Sequence, residues 1–270
     1  DSSIAESLLL CLVSRPSMRV DGLVDSLFIG KLTLNLSFKD TEGPQVSVTE
    51  FTRLLKAIKP LVAGPVKLES GIESDFTKTS VYPRLDLQSG QLVPGAVLQQ
   101  PDGCVLIIDE TVLSEGEFKD QAVCNLQALI DVIRLQQVNY DFGMQQVTLK
   151  TDMPVISISH SKKSILPFDL RVECDCFTFC PIEDEKISLF RSYLEHCRGL
   201  TCSVNEEMAT FLEHDYLTLR KASPLLPNGN PKMNEQEFHR LMNLARLTAI
   251  SEAQTNLSQE IWERTKTRYL

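Results

Sequence analysis

One short stretch constrains the fold more than any other: Cys104-Val105-Leu106-Ile107-Ile108-Asp109-Glu110. Five consecutive apolar residues, mostly β-branched or leucine, come directly before two carboxylates. Such a run is typical of a strand buried on both faces of a parallel sheet, with its polar end at the mouth of the sheet. Open α/β sheets bind their ligands at that mouth. The stretch therefore predicts a layered α/β protein with a candidate site at Asp109 and Glu110.

Two interpretations of these carboxylates are open at this point. In nucleoside triphosphatases, an apolar strand followed by Asp-Glu is the Walker B element, in which the aspartate holds Mg²⁺ and the glutamate polarises the attacking water. A buried strand that ends in polar residues is also common in proteins without such chemistry. The motif alone does not decide between them.

Composition and charge narrow the classes of function. The chain has 270 residues, 43% apolar and 23% charged, as in an ordinary soluble globular protein. It lacks an initiator methionine, so we expect it to be part of something longer. No apolar run approaches the roughly 18 residues of a spanning helix, so we expect no membrane association. The net charge of −9 repels phosphate backbones and favours protein partners over DNA or RNA.

The cysteines predict reduced thiols rather than a disulfide framework or a metal centre. There are eight, without a CxxC pair, and several lie inside apolar segments, as in cytosolic or nuclear proteins. The residues considered as zinc ligands are Cys174, Cys176, Cys180, His196, Cys197 and Cys202. Because C-x-C-x₃-C departs from the usual C-x₂₋₄-C pairing, we predict no metal site.

Strand and helix patterns alternate through the first two thirds of the chain. The predicted strands cover residues 27–36, 66–68, 104–110, 153–159 and 172–176, with a hairpin at 138–142 and 147–149. The predicted helices cover residues 4–14, 47–59 and 123–133, the second capped by Ser47 with Glu50. This alternation predicts βαβ units and a parallel sheet.

From Asp184 onward the pattern is helical only. The predicted helix caps are Ser203 with Glu206, Asn234 with Glu237, and Ser258. A Pro-, Gly- and Asn-rich stretch near 222–232 predicts a linker between helices. We therefore expect two domains, an α/β domain over residues 1–182 and a helical lid over residues 183–270.

This order of elements resembles the AAA-type domain of the minichromosome maintenance helicases. The similar stretches are Leu92-Val93-Pro94-Gly95-Ala96-Val97-Leu98 leading into Ile107-Ile108-Asp109-Glu110, Gln136-Gln137-Val138 at the start of the hairpin, and residues 241–254 with Leu257-Ser258. The resemblance implies an AAA-type, P-loop-like layered parallel sheet with helices on both faces, followed by a C-terminal helical lid.

A closer resemblance is to the minichromosome maintenance complex-binding protein family. Its signatures are Gly30-Lys31-Leu32-Thr33-Leu34-Asn35-Leu36, Ile108-Asp109-Glu110-Thr111, Val138-Asn139-Tyr140-Asp141-Phe142, and Ala245-Arg246-Leu247 with Gln254-Thr255-Asn256-Leu257-Ser258. The resemblance implies the C-terminal half of a nuclear chaperone that binds helicase subunits, in assemblies lacking the usual second subunit. The implied roles are assembly or unloading of the helicase on chromatin, in DNA replication, the cell cycle and sister-chromatid cohesion.

The sequence does not predict an ATPase. A phosphate cradle needs G-x-x-x-x-G-K-[ST], and the only Gly-Lys pair is Gly30-Lys31, with Asp25 at the first glycine position and Leu32 at the hydroxyl position. Residues 37–44, where a P-loop belongs, are acidic instead. We therefore predict no catalytic residue and no cofactor, and interpret Asp109 and Glu110 as a vestigial Walker B kept at the solvated end of the sheet. The alternative is a divergent ATPase with an unconventional phosphate loop.

The hairpin tip predicts protein contact rather than DNA contact. It reads Asp141-Phe142-Gly143-Met144-Gln145-Gln146 and has no cation to meet a phosphate. The candidate partner-binding residues are Tyr140, Phe142 and Met144, although such apolar groups could also pack against the domain. Ser159-His160 with Asp169 could suggest nucleophilic catalysis, but the chain has no G-x-S-x-G elbow.

Overall fold

A computed structural model describes residues 2–21, 26–38, 48–71, 73–113, 116–160, 164–174, 183–224 and 233–270. The predicted cap Ser47, residues 39–44 of the acidic loop, Cys176, Cys180 and most of the linker at 222–232 lie outside these ranges. The helices are α1 Ser2–Val13, α2 Val48–Ile58, α3 Asp75–Lys78, α4 Gln121–Leu135, α5 Asp184–Gly199, α6 Glu206–Ala222, α7 Glu235–Ser251 and α8 Gln259–Tyr269. The strands are β1 Met18–Asp21, β2 Ser26–Ile29, β3 Thr33–Phe38, β4 Val62–Lys67, β5 Leu85–Asp86, β6 Gln91–Leu92, β7 Val105–Asp109, β8 Gln137–Asp141, β9 Gln146–Lys150, β10 Val155–Ser159 and β11 Leu170–Cys174.

A five-stranded parallel sheet with the order β11-β3-β10-β7-β4 forms the centre of the molecule. Strand β7 is buried at every position, as its continuous apolar sequence predicts. Successive side chains point to opposite faces. Val105 and Ile107 therefore pack against the cluster formed with α1, α2, α5 and α7, while Leu106 and Ile108 pack against α3 and α4. The predicted layered α/β fold, with helices on both faces of the sheet, is confirmed.

In the part of the chain that the structure describes, three small antiparallel pairs accompany this sheet: β1 with β2, β5 with β6, and β8 with β9. The β8–β9 pair confirms the predicted hairpin. Residues 27–36 were predicted as one strand. This prediction is wrong, because the strand is interrupted at Gly30, between β2 and β3. Gly30 has φ +88°, and a Cβ there would clash with the carbonyl oxygen of Arg15, so the position favours glycine.

The last three helices, α6, α7 and α8, begin at side-chain caps, with one difference from the prediction. Asn234 accepts a hydrogen bond from the Glu237 amide, and Ser258 accepts one from the Ile261 amide, as predicted. Ser203 was predicted to cap α6, but the cap lies two residues later, at Asn205, whose side chain accepts a hydrogen bond from the Met208 amide. The Ser203 hydroxyl bonds instead to the loop between α7 and α8.

Helices α5 and α7 pack directly on the layered part of the molecule. Leu194 and Cys197 of α5 and Leu244 of α7 belong to the same buried cluster as the residues of α1 and β3. The Arg198 guanidinium donates to the carbonyl oxygen of Ser14 at the end of α1 and, at 2.5 Å, to the Asp152 carboxylate before β10. The division into domains at residue 182 stays a prediction. Among the described ranges, every helix is too short or too polar to cross a bilayer.

Candidate functional site

The acidic end of β7 is buried, which corrects the expectation that its carboxylates lie at the solvated end of the sheet. Asp109 is 4% exposed and Glu110 is 5% exposed. Each therefore needs hydrogen-bond partners inside the protein, because an unpaired buried charge costs several kcal/mol. Those partners determine what the two groups can do.

Asp109 is held by the turn that follows it. One carboxylate oxygen, Oδ1, accepts from the Thr111 amide at 3.0 Å and from the Thr111 hydroxyl at 2.6 Å. Its main-chain carbonyl accepts from the Leu68 amide at 2.9 Å, which continues the pairing of β7 with β4. This is the local aspartate turn that commonly ends a strand.

Glu110 is held by groups that are distant in sequence. Its carboxylate accepts from the Ser157 hydroxyl at 2.5 Å, from the Ser164 hydroxyl at 2.7 and 2.8 Å, and from the Ile165 amide at 3.3 Å. Burial raises the pKa of this carboxyl, and the hydrogen bonds from Ser157 and Ser164 offset part of the rise. Both oxygens of Glu110 are thus engaged in fixing the segment after β10 to the sheet.

The same face of the sheet carries further buried polar side chains. Thr33, Asn35 and Ser37 alternate with the leucines of β3, so they point away from the apolar cluster. Asn35 donates to the Ser159 hydroxyl at 3.2 Å, and Arg171 donates to the Ser37 hydroxyl at 2.9 Å. Asn35, Ser37 and Ser159 therefore place buried polar side chains near the carboxyl ends of β3 and β10, on the same face of the sheet as Glu110.

Lys31 lies at the other end of the sheet from Glu110. Its ammonium donates to the Ile133 carbonyl at 2.6 Å and to the Asp169 carboxylate at 3.1 Å, just before β3 begins. A phosphate-binding lysine would have to reach the carboxyl ends of the strands. The structure gives Lys31 a structural ion pair instead.

Ser159 and Asp169 are not brought together either. Asp169 accepts from the amide and hydroxyl of Thr33 at the beginning of β3, whereas Ser159 pairs with Ser37 at the end of that strand. The four-residue separation between Thr33 and Ser37 corresponds to roughly 13 Å. These two side chains therefore cannot form the nucleophilic pair that the sequence suggested for consideration.

Five of the six described cysteines are buried, and Cys124 on α4 is exposed. Cys174 and Cys197 belong to the apolar cluster beneath the sheet, and Cys202 belongs to the cluster formed by the last helices. Burial raises the pKa of the Cys197 and Cys202 thiols. Within the ranges that the structure covers, no three His, Cys, Asp or Glu side chains lie close enough to hold a metal ion.

The three predicted partner-binding residues of the β8–β9 hairpin differ in exposure: Tyr140 supports the hairpin from inside, and Phe142 and Met144 lie at the surface. Tyr140 is half-buried, packs against the core, and stacks on Phe142 with the ring centroids 6.5 Å apart. Phe142 is 38% exposed and Met144, at the tip, is fully exposed. Met144 therefore does not pack against the domain, and Tyr140 holds Phe142 in place.

Leu87 is a surface residue beside this tip that sequence reasoning missed. It lies in the turn between β5 and β6 and is 77% exposed. A Cβ built on Gly143 would lie 3.2 Å from Leu87 Cδ2, so the two turns are neighbours. A single leucine in an otherwise polar turn was the available signal. We call Leu87, Phe142 and Met144 the two-hairpin tip.

Fold and site together define a layered α/β protein with C-terminal helices, a buried acidic strand end and an exposed apolar tip. The chain belongs to the family described as Mini-chromosome maintenance replisome factor, whose model matches residues 1–268.

Its relatives include proteins named "Mini-chromosome maintenance complex-binding protein" from plants and animals. The protein from Arabidopsis thaliana is 30% identical over 97% of this chain and 42% of its own length. The proteins from Danio rerio and Homo sapiens are each 31% identical over 98% of this chain, and over 41% and 40% of their own lengths. The chain thus spans about two fifths of the length of the curated relatives it matches.

Proposed function

We propose that this chain is a non-catalytic binding partner of minichromosome maintenance helicase subunits. The observation that carries the proposal is its similarity, over nearly its whole length, to proteins named for binding that complex. The structure supports the non-catalytic part, since both oxygens of Glu110 accept hydrogen bonds from the protein. A glutamate that polarises water has to present an oxygen to that water.

The finer proposal is that the chain acts as a nuclear chaperone for these subunits. It would bind assemblies that lack the usual second subunit and regulate assembly or unloading of the helicase on chromatin, in DNA replication, the cell cycle and sister-chromatid cohesion. The parallel sheet and its covering helices support an AAA-type body, and the helices from α5 onward support a lid. We propose residues 1–182 and 183–270 as the corresponding domains.

A physical rationale connects this fold to regulation. Neighbouring AAA domains in a ring pack through self-similar surfaces, so a protein of similar shape can occupy the edge of one protomer. If it lacks the chemistry of a protomer, it blocks closure of the ring rather than completing it. The proposal predicts that this chain and a helicase subunit compete for the same neighbour.

The direct test mixes the purified chain with each purified helicase subunit, singly and in pairs, and measures complex formation by calorimetry and size-exclusion chromatography. We expect a stoichiometric complex with at least one subunit or pair. An assembled helicase ring with all its subunits serves as the comparison, and the ring is expected to bind less tightly. The absence of any complex would refute the proposed function.

The second candidate is a divergent ATPase, favoured by one observation. Asp109 and Glu110 do follow a buried strand of a parallel sheet, which is where a Walker B pair belongs. Thermal unfolding with and without Mg²⁺-ATP separates the candidates, because a ligand at 100 times its Kd stabilises a protein by about 2.7 kcal/mol. The non-catalytic proposal predicts no change. Stabilisation that Asp109→Asn abolishes would favour the ATPase.

A further inference from the structure

Two separate hairpins meet at one point on the surface of the molecule. The Asp141 amide at the end of β8 donates to the Pro83 carbonyl at 2.9 Å, and the Arg84 guanidinium lies 3.9 Å from the Asp141 carboxylate. Arg84 and Asp141 also form a parallel β-bridge. These contacts fix the β5–β6 turn beside the β8–β9 turn, so the apolar side chains of the two turns form one surface.

Each turn is braced in the same way by an aspartate at the end of its first strand. The Asp86 carboxylate accepts from the amides of Gln88 and Ser89 at 3.1 and 3.2 Å, and the Asp141 carboxylate accepts from the Gly143 amide at 2.9 Å. The hydrogen bond from the Ser89 side chain leads the effects that lower the pKa of Asp86. A braced turn loses little conformational freedom on binding, so it can present an exposed side chain at a small entropic cost.

Six of the eight backbone amides in the two turns, residues 87–90 and 142–145, donate hydrogen bonds within the protein. Besides the amides bound by the aspartates, the Gly90 amide donates to the Asp86 carbonyl at 2.8 Å, Phe142 donates to Gln145 at 2.9 Å, and Met144 donates to Phe142 at 3.1 Å. Pairing with a partner strand would need free amides. Recognition at this surface therefore relies mainly on side chains.

The side chains of both turns carry no charge, and those of Leu87, Phe142 and Met144 are apolar. The two turns read Leu87-Gln88-Ser89-Gly90 and Phe142-Gly143-Met144-Gln145, without an acidic or basic residue, on a chain whose net charge is −9. Contact with an anionic lipid surface or with nucleic acid requires lysine or arginine. Arg84, the nearby cation, faces Asp141. An uncharged apolar tip is complementary to an uncharged apolar groove.

We propose that the two-hairpin tip inserts into an uncharged apolar groove of the protein partner, with Leu87 and Met144 as the anchors and Phe142 beside them. This inference rests on the proposed function and specifies the contact surface that the partner recognises. Methionine adapts its shape to irregular apolar sites, which suits a residue at the leading end of such a contact. A few well-packed, fully desolvated residues near the centre of an interface carry most of its binding energy.

The test compares the double variant Leu87→Ser with Met144→Ser against Leu189→Ser. Leu189 is 70% exposed on α5, which packs on the opposite face of the sheet from the hairpins, so it matches the tip in exposure but not in place. Binding of each purified variant is measured by calorimetry against the helicase subunit or pair that binds the parent chain. We expect the double variant to bind about 10-fold or more weakly and Leu189→Ser to bind as the parent does. Circular dichroism and thermal unfolding confirm that each variant is folded.

The outcomes separate the two proposals. If the parent chain binds no subunit, the proposed function fails and this inference falls with it. If the parent binds and the double variant binds equally well, only this inference is overturned. Affinity that falls steeply between about 0.1 and about 0.5 M salt would overturn the uncharged groove. Binding to phosphatidylserine vesicles or to single-stranded DNA that the double variant loses would overturn the assignment of a protein groove.

Discussion

The carboxyl end of the sheet and the two-hairpin tip depart in opposite directions from the usual distribution of residues. At the first, Glu110, Asn35 and Ser159 are polar and buried; at the second, Leu87 and Met144 are apolar and exposed. Buried polar groups and exposed apolar patches are the informative exceptions in a folded protein. The comparison shows that the polar groups at the carboxyl end of the sheet are satisfied by internal hydrogen bonds. The apolar side chains of the two-hairpin tip remain available to a partner.

The largest expected effect on stability comes from removing the buried carboxylate of Glu110. Replacement of Glu110→Ala leaves the Ser157 and Ser164 hydroxyls without their acceptor and opens a cavity, so we expect the free energy of unfolding to fall by about 3 kcal/mol. Urea unfolding followed by circular dichroism measures the loss. Glu110→Gln keeps the shape and one acceptor, and is expected to lose much less. Equal stability of Glu110→Ala and the parent would mean that this carboxylate is not structural.

The next largest effect on stability comes from removing the two serine hydroxyls that donate to Glu110. Ser157→Ala and Ser164→Ala each remove one donor to Glu110, and each is expected to cost about 1 kcal/mol. Because the donors share one carboxylate, the double variant should differ from the sum of the single ones in a double-mutant cycle. Strict additivity would indicate that the two serines act independently of Glu110.

A smaller effect concerns pH. Since burial raises the pKa of Glu110, the folded protein keeps the proton in a range of pH where the unfolded chain has released it. The free energy of unfolding is therefore expected to decrease as pH rises from the ordinary glutamate value through the raised one. Glu110→Gln should show a shallower decrease over the same range in urea titrations. Superimposable pH profiles of the parent and Glu110→Gln would contradict the raised pKa.

The smallest effect on stability is expected at the exposed two-hairpin tip. Leu87→Ser and Met144→Ser remove side chains that face solvent, so each is expected to change the free energy of unfolding by no more than about 0.5 kcal/mol. Such variants would combine near-parental stability with the weakened partner binding proposed above. A loss of several kcal/mol would show that the tip packs against the body of the protein and is not a free surface.

The core of the sheet follows from local sequence. The apolar run before Asp109 predicts β7, and the alternating leucines up to Leu36 predict the strand that becomes β3, because side-chain burial repeats with the backbone period. The same alternation hid the break at Gly30. That break depends on close approach of Arg15, which is distant along the chain.

The candidate sites followed from sequence only in part. The partners of Glu110 lie 47 to 55 residues away, so its burial could not be read from the motif itself. Leu87 and Met144 are 57 positions apart and meet only because two hairpins pack side by side. Capping is similarly local but degenerate: Ser203 and Asn205 are both good N-cap residues, and only the helix start distinguishes them.

Arg198 is synthesised after both of the segments that it connects. Its guanidinium joins Ser14 and Asp152, which precede it by 184 and 46 residues. A growing polypeptide emerges from its amino terminus. The end of α1 and the segment before β10 therefore leave the ribosome well before Arg198. The hydrogen bonds that Arg198 donates to both segments form late in biosynthesis.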